Sequence, residues 1–406
     1  MNNILRSIQK KLNLHKLIDH HLKESDLNRF LALHGISDND PRIKPLKQFT
    51  QEQQDLTSLT GNREPARPSD FLQRLAEEHL IIPKFNAFTQ EIESIAKNVQ
   101  SNCNGKVATY IPELSNVDPN QFAVSICTVD GQMYHFGDAQ VDFCIQSISK
   151  AINYAIALET RGESTVHQHM GREPSGKCFN EINLNAAGLP HNPLINAGGI
   201  MCCALIDPES SPSMRIDFIM NYWKQLTGRK CILFDAAVYK SEKLTAHRNY
   251  AIAHLMEEVS AFPPNTDLEN TLDLYFKCCS IDLNTQDLAR SAAVIANGGI
   301  DPFSGQSIFS DITIKDCLSV MSFCGMYDFS GEFAFKVGIP SKSGVSGGIM
   351  MVVPNLMGIA IWSPKLDGFG NSVRGIEFAN QLTQRFNFHN YDNLIGNSPK
   401  IDPRRD

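Results

Sequence analysis

The residues whose types and spacing could do chemistry begin with Ser147-Ile148-Ser149-Lys150. An S-x-x-K at a helix start puts a hydroxyl and an ammonium one turn apart on one face. The helix N-terminus adds a positive partial charge and backbone N–H groups without intrahelical partners. A serine held there can attack a carbonyl carbon, and a desolvated lysine can take its proton. The pattern alone decides little, since about one or two S-x-x-K matches are expected by chance in such a chain. Ser7-Ile8-Gln9-Lys10 is another match and reads as surface. For Ser147 the plainer reading is an ordinary N-cap. A hairpin just before it and an apolar helix just after favour the chemical reading.

Two further segments could complete such a site. Lys342-Ser343-Gly344-Val345-Ser346-Gly347-Gly348 puts Lys-Ser-Gly on a late strand, as accompanies S-x-x-K in β-lactamase-type serine enzymes. Its glycines let an acyl group lie close to the backbone; the competing reading is a glycine-rich turn. Gly325-Met326-Tyr327-Asp328-Phe329-Ser330-Gly331 places a tyrosine between glycines. Tyr327 could shuttle protons if a nearby lysine lowered its phenol pKa. His167-Gln168-His169 lacks the further ligands that zinc needs. Glu242 and Asn249 read, on local pattern alone, as surface residues.

Elements must bring these segments together. FAVSICTV (Phe122 to Val129), the Asp130-Gly131 turn and QMYHF (Gln132 to Phe136) read as a β-hairpin. Ser147 to Glu159 and Thr285 to Ala296 read as helices, and strands return at Gly338 to Ser343, Ile349 to Val353 and Gly358 to Trp362. A last helix runs from Val373 to Phe386. Strands at both ends with helices inserted between them predict an α+β catalytic domain over 83–395. Before it, 1–82 reads as a helical region. One helix there ends through Leu33 at Gly35, a second spans Pro68 to Leu80, and the apolar spacing from Ile4 to Leu22 is amphipathic. A short tail covers 396–406.

Bulk properties narrow the function classes. Of 406 residues, 42% are hydrophobic and 20% charged, a globular composition. A net charge of -7 argues against nucleic-acid partners, which demand a concentrated basic surface. The 11 cysteines are irregularly spaced and read as reduced, buried small hydrophobes. The longest apolar run, Ile349 to Trp362, is broken by Pro354-Asn355 and is too short for a bilayer. These readings predict a cytoplasmic protein without membrane or metal.

Taken together, the motifs match one family. The sequence resembles the serine-dependent glutaminases, the animal kidney-type enzymes in particular. The resemblance rests on GKVATYIPEL (105–114), FCIQSISK (143–150), NPLINAGGI (192–200), SEKLTAHRNYA (241–251), DLYFKCCS (273–280), ANGGIDPFSG (296–305), the long CGMYDFSGEFAFKVGIPSKSGVSGGIMMVVPNLMG (324–358) and GNSVRGI (370–376). It implies a β-lactamase-like fold with an antiparallel sheet and a helical cluster. It also implies hydrolysis of L-glutamine to L-glutamate and ammonia, without a cofactor, by a homodimer or homotetramer. It places the nucleophile at Ser147, its partner at Lys150 and the proton shuttle at Tyr327. Substrate contacts fall on Tyr110, Gln146, Asn196, Glu242, Asn249, Tyr275 and the backbone of Val345. One departure lies in Phe179 to Leu184, which corresponds to a tetramer-contact loop. There Glu181 replaces a basic residue and Asn183 an aromatic one, so the resemblance predicts weakened phosphate activation. A penicillin-binding protein, or a catalytically dead scaffold, is the competing expectation.

Overall fold

Apolar residues on both sides of the central strands decide the layering. The computed structural model describes residues 24–44, 71, 74–75, 79–176, 181–392 and 399–405. Its strands are β1 (Ala123–Thr128), β2 (Met133–Gly137), β3 (Phe143–Cys144), β4 (Asp282–Leu283), β5 (Ser341–Ser343), β6 (Gly348–Val353) and β7 (Met357–Trp362). Five of them form an antiparallel sheet in the order β2-β1-β7-β6-β5, and β3 pairs with β4 apart from it. Every residue of β1, β6 and β7 is buried, so both faces are covered. Fully burying one such aliphatic side chain stabilises by roughly 1.5–3 kcal/mol.

The two faces meet different helices. The longer ones are α1 (Glu24–Leu33), α2 (Phe85–Gln100), α3 (Ser149–Arg161), α4 (Asn196–Leu205), α5 (Pro212–Thr227), α6 (Ala236–Thr245), α7 (His247–Glu258), α8 (Leu268–Cys279), α9 (Thr285–Ala296), α10 (Asp311–Cys324) and α11 (Val373–Arg385). Val124, Ile126, Ile349, Met351, Ile359 and Ile361 pack with α2 and α11. Cys127, Met350, Val352, Ala360 and Trp362 face the helical cluster instead. α9 lies so close to β7 that a Cβ at Gly358 would fall 2.3 Å from the Ala293 nitrogen. Its start is fixed by an Asn284–Asp287 capping box.

The predicted hairpin forms, with Ala123 opposite Gly137 and Gly131 at φ 86° in the turn. The Thr285–Ala296 helix is as expected. The strand expected from Gly338 is shorter and begins at Ser341. Gly338 is left-handed at φ 62°, and Pro340 has no N–H to give to a ladder. The reading of all cysteines as buried is corrected, because Cys103 and Cys231 are exposed. α1 ends with Gly35 at φ 68°, and the segment after it docks on the hairpin turn. There Arg42 donates to the carbonyls of Asp130 and Pro302, each at 2.8 Å. The helix expected at Ile4 to Leu22, most of that at Pro68 to Leu80, Ser7-Ile8-Gln9-Lys10, and residues 179–180 of the stretch Phe179 to Leu184 lie outside the described residues. Among the described residues, no helix is long and apolar enough to cross a membrane.

Candidate active site

A tight turn delivers the serine. After β3 the chain makes a 3-10 turn, Gln146–Ile148, and then enters α3. Gln146 has a positive φ of 50°, a costly conformation for a residue with a side chain. Gly344, on the β5–β6 connection, comes so near that a Cβ there would lie 2.5 Å from the Ile145 carbonyl oxygen. Ser147 and Lys150 are both buried, and Lys150 Nζ stands 2.7 Å from Ser147 Oγ. Ser147 is not the helix cap; that position is Ile148, which makes no side-chain cap bond. Burial lowers the Lys150 pKa, while the neighbouring Cys279 thiol and Glu242 carboxylate work against the shift. The lysine stem also passes Gly199, where a Cβ would meet Lys150 Cε and Tyr275 Cε2 at 3.0 Å.

Tyr327 reaches the same point from far downstream. It sits at φ 56° in a turn held by Ser330, whose Oγ accepts from Met326 N at 3.0 Å and donates to the Tyr327 carbonyl at 2.6 Å. The phenol donates to the Ser343 carbonyl at 2.9 Å. The condition that a lysine lower its pKa is not met. Burial raises it, only partly opposed by hydrogen bonds with Ser147 and Ser343. Lys342 does stand 4.5 Å over the Tyr327 ring, but it is itself buried and its own pKa is pushed well down. Val345, just after Gly344, is buried in one cluster with Ile111, Leu366 and Tyr327.

A cavity of about 340 Å³ opens beside this group, lined by Tyr110, Asn196, Glu242, Thr245, Arg248 and Asn249 among others. Glu242 is buried, and burial raises its carboxyl to about 7 against the pull of Lys150 and a hydrogen bond with Gln146. Its Oε2 has no hydrogen-bond partner. An orphaned buried carboxylate oxygen is costly unless something fills it. Asn196 Nδ2 donates to Asn249 Oδ1 at 2.8 Å. Half of Tyr110 is exposed, yet burial at its hydroxyl end, with Glu242 and Tyr327 nearby, raises its phenol. Tyr275 is buried, its ring 5.2 Å from Lys150 Nζ.

Ser147, Lys150, Tyr327, Gln146, Glu242, Tyr275 and Tyr110 thus form one connected group. Asn196 and Asn249 continue it along the cavity, and Val345 flanks Tyr327. Reading the residues one by one missed Glu242 and Asn249 as buried groups, and it missed Gly199 and the thiol of Cys279. Lys342 was visible only as part of Lys-Ser-Gly. His167 instead bonds Tyr154 OH at 2.9 Å and the Met170 carbonyl, ordinary structural contacts. Among the described residues, no group of three or more His, Cys, Asp or Glu could hold a metal.

The sequence model described as Glutaminase matches residues 105–391, which hold every one of these side chains. This chain belongs to the glutaminase family. Mouse glutaminase liver isoform, mitochondrial, is 41% identical over 379 residues, 92% of this chain and 63% of that protein. The chain therefore spans less than two thirds of that relative's length. A glutaminase of Nostoc is 47% identical over 295 residues, covering 72% of this chain and 87% of its own. A solved structure of Mglu in its tris and glutamate form superimposes with a TM-score of 0.71 at 35% identity, over 76% of this chain and 68% of that one. The glutaminase match covers the antiparallel sheet and the helices that carry the site.

Proposed function

We propose that this chain hydrolyses the side-chain amide of free L-glutamine to L-glutamate and ammonia through an acyl-enzyme on Ser147. The observation that carries the reading is the buried 2.7 Å contact of Lys150 Nζ with Ser147 Oγ, beside a cavity that holds an unpartnered carboxylate oxygen on Glu242. Glutamine brings an α-ammonium and an α-carboxylate. Glu242 pairs with the first, and Asn196, Asn249 and the tyrosine hydroxyls donate to the second. Family membership supports this substrate, and the solved Mglu structure carries glutamate in its name.

Neutral Lys150 takes the Ser147 proton as Oγ attacks the amide carbon. Burial makes it the better base of the two candidates, because it lowers Lys150 and raises Tyr327. The carbonyl oxygen rests on the N–H groups of Ser147 and Val345. Tyr327 then gives its proton to the departing nitrogen, the C–N bond breaks and ammonia leaves. Lys150 returns a proton to Tyr327, becomes neutral again, and takes the proton of the water that attacks the ester. Glutamate leaves and Ser147 regains its hydrogen. The same proposal includes a β-lactamase-like fold, a cytoplasmic setting and assembly as dimers or tetramers. Coupled detection of glutamate and ammonia tests it: wild type turns glutamine over, and Ser147→Ala does not. Hydrolysis of nitrocefin without glutamine turnover would favour a penicillin-binding enzyme instead.

A further inference from the structure

α6 and α7 carry much of the cavity's polar lining, and one carboxylate on α8 ties that helix to α6. Glu242 lies on α6, Asn249 on α7 and Tyr275 on α8. On the side of α8 away from Tyr275, Asp273 gathers three donors. Tyr239 OH and Lys243 Nζ of α6 both donate to its Oδ1, and Lys277 Nζ lies 2.7 Å from Oδ2. The two ammonium groups also flank the Tyr239 ring, at 5.6 and 5.8 Å from its centre. The cluster is half-buried, with the Asp273 side chain 15% exposed. Burial alone would raise the Asp273 carboxyl, but the bonds from Lys243, Lys277 and Tyr239 bring it down to about 2.

The chain path makes this a lever on the site. Lys243 directly follows Glu242, so a helix held by Lys243 holds Glu242 about a quarter turn away. Tyr275 lies two residues after Asp273 and points to the opposite side, towards Lys150. The other end of α6 is tied to the C-terminal end of α8: Asp235 caps it at Ala237 and Val238, while Asp235 N donates to the Ser280 carbonyl at 2.8 Å. Tyr250 OH donates to the Lys243 carbonyl at 3.1 Å and draws in α7 with Asn249. Gln146 and Lys150 act on the Glu242 carboxylate from one side, but its Oε2 has no bond to anchor it.

We propose that Asp273 is a positioning residue for the ammonium end of the substrate: by fixing α6 against α8 it holds Glu242 where the α-ammonium must bind. The inference rests on the glutamine reading of the site. Asp273 touches no substrate, so its loss weakens recognition of the amine and leaves the serine chemistry in place.

Binding is therefore the readout. Calorimetry measures Kd for L-glutamate, which has the amine, and for glutarate, which lacks it, on wild type, Glu242→Gln, Asp273→Asn and the double variant. Wild type prefers glutamate. Asp273→Asn and Glu242→Gln each cut that preference by roughly five- to tenfold, and the double variant goes little further, because both act on one contact. Glutarate affinity stays within about twofold, and kcat for glutamine falls less than KM rises. If Asp273→Asn folds poorly, Tyr239→Phe removes one donor alone and gives the same change at smaller size. Equal loss of both ligands, or additive effects in the double variant, would overturn the proposal. Failure of the wild type to bind either ligand would instead overturn the glutamine reading.

Discussion

Lys150 Nζ and Ser147 Oγ stand 2.7 Å apart although both side chains are almost wholly shielded from solvent. A buried ammonium is expensive, and the fold retains it at the one place where its neutral form meets a hydroxyl. Lys150→Met should separate the two consequences. Activity falls about 10²–10⁴-fold. Stability rises, by roughly 2–4 °C in Tm at pH 7, because an apolar side chain of similar length removes the cost of deprotonating and burying an amine. The sign depends on pH. Burial lowers the folded pKa below the ordinary 10.5, so between the two values the unfolded chain holds more protons and wild-type stability climbs with pH. The gap between mutant and wild type should therefore close towards pH 10.5. Thermal melts across that range check it; a Tm that falls in the mutant at pH 7 contradicts it.

Glu242 should give the recognition step its acid limb. Its carboxyl is raised, first by burial, to about 7 from 4.5. Below about 7 it is increasingly neutral and loses the substrate ammonium, so KM for glutamine rises as the solution is acidified. Glu242→Gln raises KM about 10–100-fold and flattens its pH dependence. The stability sign is opposite to that of an ordinary paired carboxylate. The raised group favours folding below 4.5 and loses that contribution as pH rises through 7, so Glu242→Gln gains on wild type above 7. An acid limb that survives in the Gln variant's KM would refute the assignment.

Glycine at 199 is required by space. An alanine methyl would stand 3.0 Å from Lys150 Cε and Tyr275 Cε2, and 3.1 Å from Lys150 Cγ. Both neighbours are buried and have little room to yield. Gly199→Ala should displace the lysine by a few tenths of an ångström, cost about 1–3 kcal/mol of stability and reduce kcat by about tenfold or more. Steady-state kinetics with wild-type values would show that the lysine tolerates the shift.

Tyr327→Phe keeps the ring that packs with Val345 and Leu366 but deletes the hydroxyl that donates to the Ser343 carbonyl. It should lower kcat about 10²–10⁴-fold with a Tm within a few degrees of wild type. Substrates with better leaving groups than ammonia should lose less, because they need less help from a proton donor. An equal loss across leaving groups would move the phenol out of that role.

Much of the sheet was legible because its pattern is local. Val124 and Ile126 alternate with Ser125 and Cys127, and Asp130-Gly131 supplies the left-handed turn that joins β1 to β2. The buried helix after Ser147 was likewise written in its own apolar residues. Glu242 and Asn249 were not, since α6 and α7 are polar helices in which Leu244 is 77% exposed. What buries them is contact with segments remote in sequence: Gln146 at Glu242 and Asn196 at Asn249. Only a whole-family pattern carries that information. Tyr327 shows a different limit. Its neighbour Lys342 was visible in the motif, but the energetic cost of burying both groups was not, and that cost reverses the expected direction of the phenol shift.

The central claim is that a glutamyl ester forms on Ser147 during turnover. Rapid acid quench of wild type with L-glutamine, followed by digestion and mass spectrometry, tests it directly. The account predicts a γ-glutamyl group on the peptide that contains Ser147, absent when glutamine is omitted and absent in Ser147→Ala, which also releases no ammonia. Glutamine turnover by Ser147→Ala, or a glutamyl group on a different residue, would contradict it.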